Sequence, residues 1–167
     1  MDPMQSTYVK LLAFDLLSLS LKSSLSSSSS DPICFYRKGR PVLRTETLGV
    51  VVSRELKCNK FLKFLVDDGT GCIPCILWLN HHQSPYFSRH NPSDVKLLAE
   101  MAAKHASDVQ LGVLVRVRGR ITAYRGNLQI TVSDVFIERD PNAEILHWLD
   151  CMKLASKCYD APTHRIC

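Results

Sequence analysis

Residues 112–132, GVLVRVRGRITAYRGNLQITV, alternate apolar and polar side chains in two runs broken at Gly126-Asn127. A period of two belongs to strands. Val113, Val115, Val117 and Gly119 face inward, while Arg116, Arg118 and Arg120 face outward. Tyr124 and Arg125 stand at the tip of the strand pair, 113–124 and 127–138. Each arginine is either the wet side of a sheet or a cation offered to an anionic partner.

Upstream, RTETLGVVVSREL (44–56) reads as a long strand bent at Gly49. KFLKFLVDD (60–68) and CIPCILWL (72–79) pair through the Asp-Gly turn of DDGTG. A helix follows from Pro92 to about Ser107, with Asn91 as its cap and Val95, Leu98, Met101 and Ala102 on its buried face. A second helix follows the last strand, capped by Asp140 and opened by Pro141, with Lys153 and Lys157 near its end. Three strands, a helix, two strands and a helix match a mainly β chain: a five-stranded Greek-key OB-fold barrel with a helix between strands three and four and a C-terminal helix. The expected divisions are an N-terminal segment, 1–22, packing on the barrel; a Ser-rich linker, 23–32; the OB-fold, 33–139; a partner helix, 140–158; and a tail, 159–167. Residues 7–19 are apolar throughout, so strand and helix both remain open there. ICFYRKGRPV (33–42) reads as a short hairpin turning at Gly39.

The 167 residues suffice for one domain with a real core, and a net charge of +5 permits an anionic partner without demanding one. Seven irregularly spaced cysteines argue against a secreted disulfide framework. No apolar run approaches the ~20 residues that span a bilayer. LLAFDLLSLSL (11–21) is short and interrupted by Asp15. A reducing compartment, cytosolic or nuclear, is expected.

In an OB-fold, the loops joining strands one to two and four to five flank the oligonucleotide groove. The first carries Arg54, Lys57 and Lys60; the second carries Tyr124 and Arg125. Aromatic rings stack bases, and cations neutralise phosphates. Tyr124 is either such a platform or a turn residue folded onto the barrel end. Trp78 is exposed on the groove side if Leu77 and Leu79 are core; otherwise it packs under the 80–94 loop. Either Leu62 and Phe64 or Phe61 and Lys63 form the core pair. Cys72-x-x-Cys75, near His81 and His82, reads as small core residues, because positions three apart on a strand face opposite ways; no metal is assigned. Asp67 and Asp68 suffice as a turn, and no enzymatic motif is present. Ile145, Trp148, Leu149 and Met152 repeat at helical spacing. That stripe packs on its own barrel or pairs with another subunit's helix, and we take the second reading.

Several segments together, YVKLLAFDLLSL, VDDGTGCIPCILWLN, SPYFSR, VRVRGRITAYRG and ERDPNAEILHWL, resemble the Stn-subunit family of the telomere-capping CST (Ctc–Stn–Ten) complex in its short plant form. The DDGTG turn is also similar to that of the middle subunit of replication protein A. The resemblance implies a non-enzymatic OB subunit in the nucleus, at chromosome ends, with no cofactor. It implies binding of single-stranded telomeric DNA and a C-terminal helix paired with a Ten-type subunit. A large Ctc subunit and DNA polymerase α–primase are the further partners implied. Carried over by position, Trp78, Tyr124, Arg118, Arg120 and Arg125 are groove candidates. Ile145, Trp148, Leu149 and Met152 are helix candidates. Longer members add winged-helix domains after the barrel. Thr122 stands where some relatives carry a basic residue. An adaptor that hardly touches DNA and an RNA-binding OB protein are the competing readings.

Overall fold

The computed structural model describes residues 3–22, 34–80, 85 and 87–160. The Ser-rich stretch 23–32, His81, His82 and residues 161–167 of the tail lie outside the described residues. The chain opens with α1 (Pro3–Ser6), β1 (Val9–Lys10), α2 (Ala13–Leu17) and β2 (Ser20–Lys22). Then come β3 (Cys34–Arg37), β4 (Arg40–Val42), β5 (Arg44–Lys57), β6 (Phe61–Asp67) and β7 (Cys72–Trp78). After a short 3-10 turn, Phe87–Arg89, come α3 (Pro92–Asp108), β8 (Leu114–Tyr124), β9 (Asn127–Ile137) and α4 (Ala143–Leu154), which runs on into a wider helical turn, Ala155–Tyr159.

Strands pair in the order β5-β6-β7-β9-β8, and β8 returns to β5. This ring is the Greek-key closure of the OB-fold, so the expected fold class holds. β1 adds a short parallel edge to β5, and β2-β3-β4 form a separate small sheet.

The length of β5 is what allows closure. Arg44–Val50 pairs with β8, and Val50–Lys57 pairs with β6. Gly49 sits where the strand changes partners. A Cβ there would strike the Asp67 carbonyl and come within 2.8 Å of the Val66 side chain. The register then jumps between Val51 and Ser53, a bulge that sharpens the bend. The parallel seam between β7 and β9 is brief, Cys75 opposite Ile130 and Ile76 opposite Thr131.

Alternation fills the interior. Leu62, Phe64 and Val66 meet Ile73, Cys75, Leu77, Val115, Val117 and Ile121 in one core. Leu62 and Phe64 are thus the inward pair, and Phe61 and Lys63 face out. Of the Cys72–Cys75 pair, Cys75 is in the core and Cys72, expected there too, is exposed on the opposite face. Burial pushes the Cys75 thiol well above its ordinary value. Among the described residues no three His, Cys, Asp or Glu could hold a metal ion, and no helix is long and apolar enough to cross a membrane.

The Asn91 side chain accepts from the Ser93 N–H at 3.2 Å, which starts α3. Its buried face is Val95, Ala102 and Ala106, whereas Leu98 and Met101, expected inside, are exposed. The two alanines let the helix approach the barrel along a narrow strip, and the longer side chains are left beside it. Asp140 leads a turn instead of capping a helix: its side chain accepts from Asn142 N–H at 2.9 Å, and α4 starts at Ala143.

Residues 7–19 form strand and helix in succession, and Val9, Leu11, Ala13 and Leu16 are buried. DDGTG fastens them in place. The Asp68 carboxylate accepts from the Ala13 N–H at 2.7 Å and from the Thr70 N–H at 2.8 Å. Thr70 Oγ1 accepts from the Phe14 N–H at 3.0 Å. The Asp68 carbonyl accepts from Trp148 Nε1 at 3.0 Å. The sequence reading of Asp68 as a sufficient turn missed this: its fully buried carboxylate accepts from the orphan Ala13 N–H at the start of α2, Thr70 takes that of Phe14, and the Asp68 carbonyl ties α4 to the barrel.

Candidate nucleic-acid interface

Outward-facing residues of β6 and β7 build one wall. Phe61 and Trp78 are direct cross-strand partners and meet edge to face, with centroids 5.8 Å apart and planes at 80°. Trp78 is 41% exposed. Lys63, two positions along the same face as Phe61, holds Nζ 5.0 Å from the Phe61 ring and 5.3 Å from the Tyr124 ring. Lys57 Nζ lies 6.0 Å from Phe61, and the Arg125 guanidinium lies 5.3 Å from Tyr124. Two adjacent rings, Trp78 and Phe61, thus lead to an alternation of cation and ring through Lys63 and Tyr124 to Arg125. Beside this series lies a hollow of about 380 Å³ lined by Ser53, Glu55, Lys63, Pro74, Tyr124 and Gln129, among others.

The β8–β9 turn supports Arg125 at some cost. Its φ is +51° and that of Gly126 is +80°. A left-handed residue other than glycine costs about 1–2 kcal/mol, so asparagine or glycine would be the easier occupant. Here the position holds a cation at the groove mouth.

Lys57 and Lys60 are exposed at the β5–β6 turn. Two other predicted groove residues are placed elsewhere. Arg54 donates from Nε to the Val109 carbonyl at 2.7 Å and from a terminal nitrogen to the Ala106 carbonyl at 3.1 Å. It answers the unpaired carbonyls and negative pole at the end of α3. Arg118 donates from Nε to Glu46 at 2.6 Å. Arg120 is exposed on β8, directly opposite Arg44. Phe61 and Lys63, in contrast, join the groove without having been assigned to it. Their signal was the alternation in KFLKFL, which left the inward pair undecided.

Glu46 organises the opposite side of the barrel. It is 3% exposed and receives Arg118 and, at 3.0 Å, Arg116, whose other branch reaches Glu138 at 3.1 Å. Burial would push the Glu46 carboxyl up, but hydrogen bonds from Arg118 and Arg116 outweigh it and hold the group below its ordinary value. α4 packs here through Ala143, His147 and Cys151. His147 Nε2 is 3.4 Å from Cys151 Sγ, and its Nδ1 has no hydrogen-bond partner among the described residues. Burial, reinforced by nearby Arg116, pushes His147 down to about 4. A histidine depressed from 6.5 contributes stability that is complete above the unfolded pKa and drains away as pH falls through the folded one. Stability should therefore drop by roughly 2–3 kcal/mol between pH 6.5 and 4 through this group. His147→Phe should flatten that part of a pH series of chemical denaturations.

The outer face of α4 is bare. Ile145, Leu149 and Met152 are exposed, as is Leu146 beside them. Trp148 is half-buried, and a shallow groove of about 350 Å³ runs between this face and Asp68–Gly69.

A closed five-stranded barrel with rings and cations on one side defines a class: residues 47–138 match the family described as the OB-fold nucleic acid binding domain. The chain is 49% identical over 156 residues to the CST complex subunit STN1 of Arabidopsis thaliana, covering 93% of this chain and 94% of that protein. It is 30% identical to the human CST complex subunit STN1 over 98% of this chain but only 45% of the human protein. The chain belongs to the STN1 family. It spans under half the length of the mammalian relatives and nearly all of the plant one. Among solved structures, the S. pombe Stn1–Ten1 complex superposes with a TM-score of 0.68 at 16% identity, covering 92% of this chain and 95% of that one. A replication protein A heterotrimer bound to single-stranded DNA gives 0.64 at 17% identity, covering 90% of this chain and 96% of that one. Both share the fold.

Proposed function

We propose that this chain is a non-enzymatic OB subunit of a CST-type complex that holds single-stranded telomeric DNA between Trp78 and Arg125 and helps protect chromosome ends. The alternation of exposed rings and cations along one groove carries the reading. Rings accept bases of any sequence, while Lys57, Lys63 and Arg125 neutralise the backbone between them. The outer face of α4 receives a Ten-type subunit; the pairing of Stn1 with Ten1 in the superposing S. pombe complex supports this. A Ctc-type large subunit, DNA polymerase α–primase and a place in the nucleus at telomeres follow from membership of the complex.

Trp78→Ala and Tyr124→Ala should each weaken telomeric single-strand binding by about tenfold, within the ~1–3 kcal/mol expected per stacked base. Fluorescence anisotropy across a salt series measures this, and affinity should fall steeply as salt rises. No loss in either variant would remove the groove and favour the adaptor reading, which gains from the internal commitments of Arg54 and Arg118. Equal affinity for the matching RNA would favour the RNA-binding reading.

A further inference from the structure

We propose that a DNA strand lying in the groove continues over the outer faces of β9 and β8 to a second seat formed by Tyr8, Arg44, Arg118 and Arg120. The inference rests on the groove reading and extends it. Residues directly opposed on neighbouring strands share a face. Lys63 opposes Ile76, Ile76 opposes Thr131, Thr131 opposes Arg120, and Arg120 opposes Arg44. One transverse row thus leads from a groove cation to an arginine pair, past Ile76, whose side chain is itself buried. Three strand spacings of about 4.8 Å separate Lys63 from Arg120, or about 15 Å. Along that row the Thr122 and Thr131 hydroxyls, 2.9 Å apart, offer polar contacts.

The far end has an unresolved charge. Arg44 and Arg120 are both exposed and directly opposed, and no carboxylate among the described residues pairs with either. Like charges in that position repel. The Tyr8 ring lies 5.9 Å from the Arg44 guanidinium and 5.7 Å from that of Arg118. Arg118 is bound through Nε to Glu46, yet its side chain is still 40% exposed and also lies 5.7 Å from Phe136. The half-buried Asp134, opposite Arg118, joins Glu46 as an acidic neighbour, and the three arginines Arg44, Arg118 and Arg120 exceed these two carboxylates. Guanidinium groups with a ring between them suit a phosphate and its adjoining base. A phosphodiester would neutralise the Arg44–Arg120 repulsion, which no carboxylate among the described residues does.

The test compares the full chain on telomeric single strands of about 6 and about 18 nucleotides, a span set by the ~4–16 nucleotides one OB-fold covers. The longer strand should bind at least about tenfold more tightly, beyond what extra registers give. Arg44→Gln combined with Arg120→Gln should weaken the long strand about tenfold, lower its salt slope by about 1, and leave the short strand unchanged. Tyr8→Ala should act in the same direction. Unchanged melting midpoints verify folding, and Arg44→Gln alone is the milder variant. Equal loss on both lengths, or no loss on the long strand while Trp78→Ala weakens both, overturns the second seat alone. No effect of Trp78→Ala on either strand overturns the groove reading itself.

Discussion

Ile145→Glu combined with Leu149→Glu should leave the chain folded and weaken its complex with a Ten-type subunit by at least about a thousandfold. Ile145 is 64% exposed and Leu149 is 53% exposed, one helical turn apart on the side of α4 that the barrel does not use. The barrel side is Ala143, His147 and Cys151. Glutamate is a good helix former, so the free chain loses nothing at these positions and its melting midpoint should be unchanged. In a helix pair, the same two carboxylates would enter an apolar seam without partners. Two such losses near the centre of an interface exceed 4 kcal/mol together, by analogy with interface hot spots at ~2–4 kcal/mol each. Titration calorimetry with the Ten-type subunit measures the outcome, and a complex of undiminished affinity would show that another surface docks it. Trp148→Glu is the poorer probe, because Trp148 Nε1 also donates to the Asp68 carbonyl. Its loss would loosen α4 from its own barrel, and a failed complex would have two explanations.

The double role of Trp148 illustrates which features a one-dimensional pattern conveys. The spacing of Ile145, Trp148, Leu149 and Met152 marks one face of a helix, but it is silent on how wide the neighbouring barrel is. In the structure, Trp148 lies at the border between packed and free surface, and His147 and Cys151 take the inner stripe. The five barrel strands and the bend at Gly49 were readable because period-two alternation and turn residues act over a few positions, whereas β1 and β2 were not. Fates decided by distant partners were not readable. Arg54 meets a helix end 52 to 55 residues away, and Arg118 meets Glu46 across 72. Glu46 itself, in a run of small β-branched residues, gave no sign of burial. Leu98 and Met101 failed as core residues for a related reason: amphipathic spacing fixes which residues share a face, not how much of it is covered. The exposure of Trp78 and Tyr124 was legible through residue type and loop position. Phe61 and Lys63 became legible only once Leu62 and Phe64 were seen to fill the core.

Glu46→Ala should destabilise the fold by about 1–3 kcal/mol, below the range for stranding a fully buried charge because Arg116 and Arg118 keep part of their solvent. The magnitude comes from what remains. Arg116 and Arg118 would stay at a site vacated by their shared carboxylate; Arg116 would keep Glu138, and Arg118 would keep the Tyr8 and Phe136 rings with Asp134 opposite it. The site also joins three separate parts of the chain. Lys10 of β1 lies 3.9 Å from Glu46 and donates to Asp150 of α4 at 2.7 Å, so β1, the barrel and α4 converge on this carboxylate. The exposed Lys10–Asp150 pair should contribute less than about 1 kcal/mol, and Asp150→Ala is the matched control. Linkage provides a second readout. A carboxyl held below its ordinary value contributes stability that is complete above the unfolded pKa and is lost as pH falls through the folded one. The difference in unfolding free energy between wild type and Glu46→Gln should therefore shrink as pH drops below that of an ordinary carboxylate. Urea denaturation at pH 7 and at pH 4 measures both effects. A Glu46→Ala midpoint close to that of Asp150→Ala would mean that packing of Leu11, Leu16 and Tyr159 fastens the N-terminal segment and α4 without help from the charge cluster.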